Sequence, residues 1–544
     1  MRRELLFLLA VFFLSAFLRF YKLSDIPLGL YVDEAAIGYN SYSISTTGKD
    51  EYGKSLPTYF RSFGDYKMPL YIYLSTVPIK IFGLNIFSVR FLSALSGSLT
   101  IFIVYFLVKS LFPGERKLAQ VTTLLFAILP WTVFLSRMAL EMQLGLFLLL
   151  LAIFFHQKAL LNFSIKWWLL TTVFYALSAY SYHTEKFVAP LIFVFWSLLS
   201  YLKSEEKRKK WWRKFIFSTV ALVILLWPQI RLSFSSGANA RVRNLSYLQS
   251  SQNIPSSNIP LAGLRKWAAM YTSYFSPRNL FYEPDPDPQR SLPQLSVFYP
   301  WMVIFFLVGI YTFLNKKNDK EGKRMILFLL FLPPLPASLT GDPFSTFRAL
   351  PLAFPLTVLI SFGLVKTMAK INKLFSVAGG GIILIVSIGL LWRSLFVLLP
   401  NERFSAWKYG YEELAQKINK GSSPKILIDD TIGTSYTEIL FFNKFDPSKL
   451  QRERKIDLTK YYQLTEWEGK QSFGNYQARP LFWKNDVFEE QLIIAAPLAV
   501  SENQAKEHFF TKAFDIIGPD GKIIFNAYLT NPQLKRLDDE KRSK

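Results

Sequence analysis

Leu5-Leu-Phe-Leu-Leu-Ala-Val-Phe-Phe-Leu-Ser-Ala-Phe-Leu-Arg-Phe20, followed by Tyr31-Val-Asp-Glu-Ala-Ala-Ile-Gly-Tyr-Asn40, decides how the rest of the chain is read. The first stretch is an apolar run preceded by Met-Arg-Arg-Glu. A signal peptide shares that charge and that core, but nothing near Ser15-Ala-Phe-Leu-Arg19 offers a small-x-small cleavage site, so the run reads as a first transmembrane helix. The second stretch sets the acidic pair Asp33-Glu34 just outside it. Ionisable groups next to an apolar span are costly and mark function. Further on stands Gly64-Asp-Tyr-Lys-Met-Pro-Leu70. A carboxylate that takes a proton and a lysine that holds a phosphate, both at a bilayer surface, point to chemistry on a lipid-linked phosphate.

Working outward, the 544 residues are 51% hydrophobic and 17% aromatic, too apolar for an ordinary soluble protein. Apolar spans fall near 4–22, 86–111, 118–136, 140–156, 167–182, 187–202, 213–231, 297–314, 324–340, 349–367 and 375–399. The expected fold class is a polytopic α-helical membrane protein of about eleven transmembrane helices with a C-terminal soluble α/β domain. The formal charge of +24 does not imply nucleic acid, since no nucleic-acid motif is present. The basic runs sit between spans: Arg2-Arg3, Arg116-Lys117, Lys158 with Lys166, Lys203 to Lys214, Lys316 to Arg324, and Lys366 to Lys373. All share one side, which the positive-inside bias makes cytoplasmic. The other side receives the outer loops 23–85 and 232–296 and everything after residue 400. There are no cysteines, so disulfides and cysteine-ligated zinc are excluded.

Three domains follow: 1–399 in the membrane, 400–534 as an extracytoplasmic α/β domain, and 535–544 as a polar, disordered tail. Leu70 to Phe82, broken by Pro78, reads as an interfacial helix, and Ala35 to Ile44 as a short one. In the C-terminal part, Lys425 to Asp430 and Gln491 to Ala496 read as strands. Phe514 to Phe525 reads as a hairpin about Asp520-Gly521.

The chemistry-bearing candidates gather on the outer side. Asp33 and Glu34 are the candidate catalytic acids; about 100° apart on a helix, only one of them faces a given site, and Asp33 is the candidate general base. The bland alternative for both is an acidic first helical turn. Lys67, followed by Met-Pro-Leu, projects from an extended segment, either toward phosphate or toward lipid headgroups. Arg137 and Glu141 flank a short turn, either as a local i,i+4 pair or as site residues, Arg137 then on the donor phosphate. Arg348 in Gly341-Asp-Pro-Phe-Ser-Thr-Phe-Arg-Ala-Leu-Pro351 is placed to meet a phosphate head, with an interfacial anchor as the alternative. Arg241 and Arg243 are further phosphate candidates. Tyr31, Tyr39, Tyr59 and Tyr66 are candidates for stacking on sugar, and Asp65 and His183 for sugar or acceptor contacts. Glu283, Asp285 and Asp287, separated by prolines, share one face. They suit a hard cation such as Mg²⁺, Mn²⁺ or Ca²⁺ or, more economically, an exposed acidic loop. With three histidines in the chain, no histidine-rich metal site is expected and no residue is assigned as a metal ligand.

Four features in order resemble one known family: Asp33 after the first span, Lys67-Met-Pro-Leu70 in the first outer loop, Arg90-Phe-Leu-Ser-Ala-Leu-Ser-Gly97 opening the next span, and Ser136-Arg-Met-Ala-Leu-Glu141. The chain is similar over about residues 1–350 to the GT-C superfamily, in the bacterial branch related to protein O-mannosyltransferases and the lipid A aminoarabinose transferase. The resemblance implies an integral glycosyltransferase of a bacterial inner membrane, moving a hexose or pentose from a polyprenyl-phosphate donor on the outer face, with inversion. The acceptor is a lipid, protein or glycan. Asp33 then matches the catalytic acid position, Glu141 a second acidic position, and Lys67 the lysine on the donor phosphate, while Arg348 resembles an arginine near the donor head. Relatives often read Glu-Lys-Pro-Pro-Leu where this chain reads Tyr66-Lys-Met-Pro-Leu70, so the acid that helps bind metal in some of them is replaced. The non-enzymatic alternative is a transporter or flippase of lipid-linked sugars. Its usual signs, mid-membrane charges and internal repeats, are missing here. The tryptophan-tryptophan-aspartate hallmark of oligosaccharyl transferases is also absent.

Overall fold

The computed structural model describes residues 2–162, 164–201, 208–235, 259–420, 425–430, 434–454, 456–464 and 469–543. Two compact units emerge. One comprises Met1–Leu23, Met68–Leu74 and Arg90–Leu399, and the other Ser24–Lys67, Ser75–Val89 and Pro400–Lys544. From the sequence, 24–67 and 400–534 fall in separate domains, whereas the second unit contains both. The reason is apolar: Tyr39, with Tyr42 and Phe63 packed alongside, shares one core with Leu414, Ile428, Ile439 and Ile494.

In chain order the first elements are α1 (Arg2–Phe20), α2 (Val32–Thr47), β1 (Phe60–Ser62), β2 (Asp65–Lys67), α3 (Pro69–Phe82), α4 (Ile86–Leu111), α5 (Arg116–Ile128), α6 (Pro130–Leu135), α7 (Glu141–Asn162), α8 (Ile165–Ala179), α9 (Glu185–Tyr201) and α10 (Arg208–Leu232). Among the described residues five helices are long and apolar enough to cross a membrane: Ile86–Leu111, Glu141–Asn162, Trp211–Leu232, Leu350–Met368 and Lys373–Glu402. The chain is read as an integral membrane protein with these five candidate spans. Prolines interrupt some of the other expected spans. The stretch 118–136 breaks between α5 and α6 at Pro130, and 324–340 breaks after Phe331, resuming as the short helix Pro334–Ala337.

The first unit repairs such breaks with side chains. Pro130 has no N–H, so the Phe126 carbonyl loses its helical donor. The Thr132 hydroxyl donates to that carbonyl at 2.9 Å, and buried Arg19 donates to the Ala127 carbonyl at 3.0 Å. Elsewhere in this unit the helices Met302–Asn315 and Ala353–Met368 touch backbone to backbone. A Cβ on Gly309 would lie 1.9 Å from the Leu359 carbonyl oxygen, and one on Gly363 1.9 Å from that of Phe305.

The second unit holds a six-stranded sheet of β3 (Ile426–Asp429), β4 (Gln471–Phe473), β5 (Tyr476–Arg479), β6 (Leu492–Ala495), β7 (Thr511–Ile517) and β8 (Ile523–Leu529), in the order β4-β5-β3-β6-β8-β7. Strand β3 runs parallel to both of its neighbours. Alternate residues serve opposite faces: Ile426, Ile428, Leu492 and Ile494 pack in one core, and Leu427, Ile493 and Ala495 in another. The end of the chain departs from the expected disordered tail 535–544. Pro532–Arg542 is a helix, capped by the Asn531 side chain and laced by the i,i+4 pairs Lys535–Asp539 and Arg542–Asp538.

One buried acid gives this unit a pH signature. Glu438 is fully buried, and its Oε1 has no hydrogen-bond partner among the described residues. Burial pushes its carboxyl from the ordinary 4.5 up to about 7, against the opposing pull of Lys408. A raised carboxyl favours the folded state at acid pH, and that contribution is lost as pH rises from 4.5 through 7. The isosteric Glu438→Gln variant is expected to unfold with wild type at pH 4 and at a higher temperature at pH 8. The pH-8 difference corresponds to about 3 kcal/mol. Thermal unfolding at the two pH values checks this, and equal midpoints at pH 8 would refute it.

Candidate active site

In the second unit Asp33 occupies the first turn of α2, where the positive end of the helix dipole favours a carboxylate. Its partner arrives on a hairpin. Strands β1 and β2 pair Phe60 with Lys67 and are joined by Phe63-Gly64, both at positive φ (51° and 73°). Such two-residue turns match the twist of paired strands and hold their register. The Lys67 ammonium then stands 2.5 Å from Asp33 Oδ1 and 5.7 Å from the centre of the Phe63 ring. The lysine side chain is 10% exposed and the aspartate 31%, so the pair is open on the carboxylate side. Asp33 Oδ2 has no hydrogen-bond partner among the described residues. The geometry offers an oxygen that accepts a proton beside a cation that stabilises an anion.

Neighbouring candidates do different work. Glu34 is fully buried, and its Oε2 accepts the Tyr31 N–H at 2.9 Å, which caps α2. That is a structural use in place of the expected catalytic one. Tyr39 is buried and donates to the Phe445 carbonyl at 3.1 Å, so it packs in the core rather than presenting a ring to sugar. Tyr66 is likewise buried, with its hydroxyl bonded to the carbonyls of Tyr461 and Leu464. Tyr59 is also buried. Asp65 accepts the Tyr66 N–H at 2.7 Å at the start of β2. Tyr31 stays partly exposed, its ring 6.2 Å from that of Trp407.

In the first unit Glu141 is the first residue of α7 and is 7% exposed. Because α6 ends at Leu135, Arg137 and Glu141 do not share the helical turn that an i,i+4 pair needs. Arg137 is fully buried. Its two terminal nitrogens donate to the carbonyls of Leu18, Arg19, Tyr21 and Lys22 at 2.9–3.0 Å, closing the C-terminal end of α1. A guanidinium so occupied is a helix cap, which replaces the expected phosphate contact. Two of the sequence motifs meet nearby: a Cβ on Gly97 would lie 2.5 Å from the Ser136 Cβ, so only glycine admits the Ser136 turn.

Arg348 donates to Asp342 at 2.6 Å and to the Thr340 hydroxyl at 2.8 Å. The turn after α8 is tied to the same segment, since Thr184 donates to the Arg348 carbonyl at 3.0 Å. His183 in that turn is partly exposed. Asp342 also receives Arg290 at 3.0 Å, and Arg290 lies 3.4 Å from Asp285 and 3.0 Å from Asp287. Arg290 is the residue that sequence reasoning missed. It pairs with Asp285 and Asp287 where a hard cation was the alternative to an exposed acidic loop, while Glu283 pairs with Arg278. Among the described residues no three His, Cys, Asp or Glu side chains are grouped to hold a metal. Arg243, like Arg241, lies outside the described residues.

The family described as dolichyl-phosphate-mannose-protein mannosyltransferase matches residues 66–230, a stretch that includes Lys67, Arg90 to Gly97 and Ser136 to Glu141. No curated protein matches the sequence. In fold the chain is similar to the oligosaccharyltransferase AglB of Archaeoglobus fulgidus in complex with an inhibitory peptide and a dolichol-phosphate. That likeness has 12% identity, covers 96% of this chain and 74% of that one, and has a TM-score of 0.53. It is also similar to ArnT of Cupriavidus metallidurans bound to undecaprenyl phosphate, at 14% identity, 96% and 97% coverage, and a TM-score of 0.52. A third likeness is the apo Archaeoglobus fulgidus oligosaccharyltransferase, at 12% identity and a TM-score of 0.50, covering 80% of this chain and 63% of that one. The chain thus spans less than two thirds of that last protein's length. In fold along nearly its whole length the chain is similar to AglB and to ArnT, and in sequence over residues 66–230 it is similar to the dolichyl-phosphate-mannose-protein mannosyltransferase family.

Proposed function

We propose that the chain moves a single sugar, a hexose or a pentose, from a polyprenyl-phosphate donor to an acceptor on the extracytoplasmic face, with inversion. The observation that carries this reading is the Asp33–Lys67 pair at 2.5 Å, which leaves one carboxylate oxygen without a protein partner among the described residues. Asp33 takes the proton of an acceptor hydroxyl or amine as that atom attacks the anomeric carbon. The bond from that carbon to the phosphate oxygen breaks, its electron pair leaves with polyprenyl phosphate, and Lys67 holds the charge. The dolichol-phosphate and undecaprenyl phosphate named with the two fold relatives support a lipid-phosphate donor of this class. Glu141 keeps, as a proposal of its own, the second acidic, catalytic position that the resemblance implies, and Arg348 the place near the donor head. The same reading has about eleven crossings of a bacterial inner membrane, a cytoplasmic N-terminus and an extracytoplasmic C-terminal part.

The test uses purified protein in lipid vesicles, given polyprenyl-phosphate sugars labelled in the sugar, with and without chelator. Label on an acceptor together with free polyprenyl phosphate is the expected result, and the chelator lane tests a divalent-cation requirement. Intact donor in every lane, with donor bound, overturns the proposal and favours a carrier of lipid-linked sugars.

A further inference from the structure

A groove of about 510 Å³ opens in the second unit at the far end of α2. That volume is in the range of small-ligand sites. Lys49, Arg452 and Arg454 line it, and among the described residues no acidic one does. Arg454 is already committed: it pairs with buried Glu51 at 2.7 Å, and its guanidinium lies 4.7 Å from the ring centre of Tyr52, another lining residue. Lys49 and Arg452 are exposed, and among the described residues neither has an ion-pair partner. Two cations thus face one groove with no acidic side chain lining it among the described residues.

The rest of the lining is built for hydroxyl groups. The Gln451 amide nitrogen donates inward to Ser43, Thr47 and the Asp50 carbonyl at 2.9–3.0 Å, which fixes the side chain and leaves its amide oxygen as an acceptor. The Ser448 hydroxyl adds a donor and acceptor on the same wall. The Tyr52 ring, held by Arg454 and by Arg61 at 5.0 Å, forms a fixed side. Asp33 is in the first turn of α2, and Lys49 follows its last residue, Thr47. At 1.5 Å per residue the groove is roughly 21 Å from the proposed base. A ligand in it is therefore remote from the bond being made and distinct from the donor phosphate assigned to Lys67.

We infer that this groove binds an anionic saccharide, a carboxylate- or phosphate-bearing part of the acceptor. Calling that saccharide the acceptor rests on the glycosyltransferase reading, whereas its binding does not. The experiment measures binding of trigalacturonate, glucose 6-phosphate and uncharged maltotriose to the full chain in phosphatidylcholine nanodiscs. Wild type, Lys49→Glu with Arg452→Glu, and Asp33→Asn are compared. The charged probes are expected to bind wild type and Asp33→Asn alike, to weaken at least about tenfold on double charge reversal, and to weaken as salt rises from about 50 to about 500 mM. Maltotriose is expected not to bind. Equal binding of the charged probes by the charge-reversed protein overturns the inference. So does binding of neither charged probe, with the same two residues controlling attachment to phosphatidylglycerol vesicles instead. If the charged probes bind as expected while Asp33→Asn transfers sugar normally, the catalytic assignment fails and the groove stands.

Discussion

Replacing Asp33 with asparagine is expected to lower sugar transfer by roughly 10²–10⁴-fold, the usual contribution of a positioned general base. The substitution keeps the side chain's shape and can still accept a hydrogen bond from Lys67, so the hairpin stays in place. What it removes is the basic oxygen and the ion pair at 2.5 Å. Donor affinity is expected to change little, because the cation remains. Lys67→Met is the complementary case: it deletes the charge proposed to hold the leaving phosphate and is expected to raise the donor KM as well as lower kcat. Initial rates with a labelled donor, over a range of donor concentrations, separate the two. Wild-type rates from Asp33→Asn would falsify the base assignment outright.

The second large effect is structural. Gly309→Val and Gly363→Val are each expected to cost at least about 3 kcal/mol, the upper end of overpacking penalties. At both positions the new Cβ would sit 1.9 Å from a backbone carbonyl of the facing helix, and a backbone cannot rotate aside as a side chain can. In a bilayer the loss is direct, because close packing itself holds such helices together. Gly389→Ala is the control, since nothing lies within 4 Å of a Cβ there. The monodisperse fraction after extraction and the thermal midpoint should fall for the two valine variants and hold for the control. Unchanged midpoints in the valine variants would mean that the two helices do not approach as described.

The sequence was informative where the signal is local. Apolar runs marked the helical stretches, the Ala35 to Ile44 helix lies within α2, and Asp520-Gly521 marks the turn between β7 and β8. Asp33 and Lys67 were named separately from the sequence, as a base and a phosphate-holding cation, and their direct contact at 2.5 Å appears only in the structure. What stayed hidden depends on residues far apart in the chain. Glu51 meets Arg454, 403 positions on, and Arg290 meets Asp342, 52 positions on. No periodicity encodes such partners. Tyr39 and Tyr66 misled for a related reason. A tyrosine near a span fits a membrane interface, a sugar platform or a core equally well, and only the packing of residues beyond 400 made these two core. Arg137 misled because an arginine in a turn is a free cation on paper, whereas here it serves four carbonyls.

That last arrangement also sets a clock on biogenesis. The carbonyls that close α1 belong to residues 18, 19, 21 and 22, and their donor is 115–119 positions downstream. At 5–20 residues per second, the nascent first helix waits roughly 6–24 s before the guanidinium that completes it has even been synthesised. Over that interval the end of the helix depends on water, lipid headgroups or the insertion machinery for its hydrogen bonds. Helix α1 is thus made well before the side chain that finishes it.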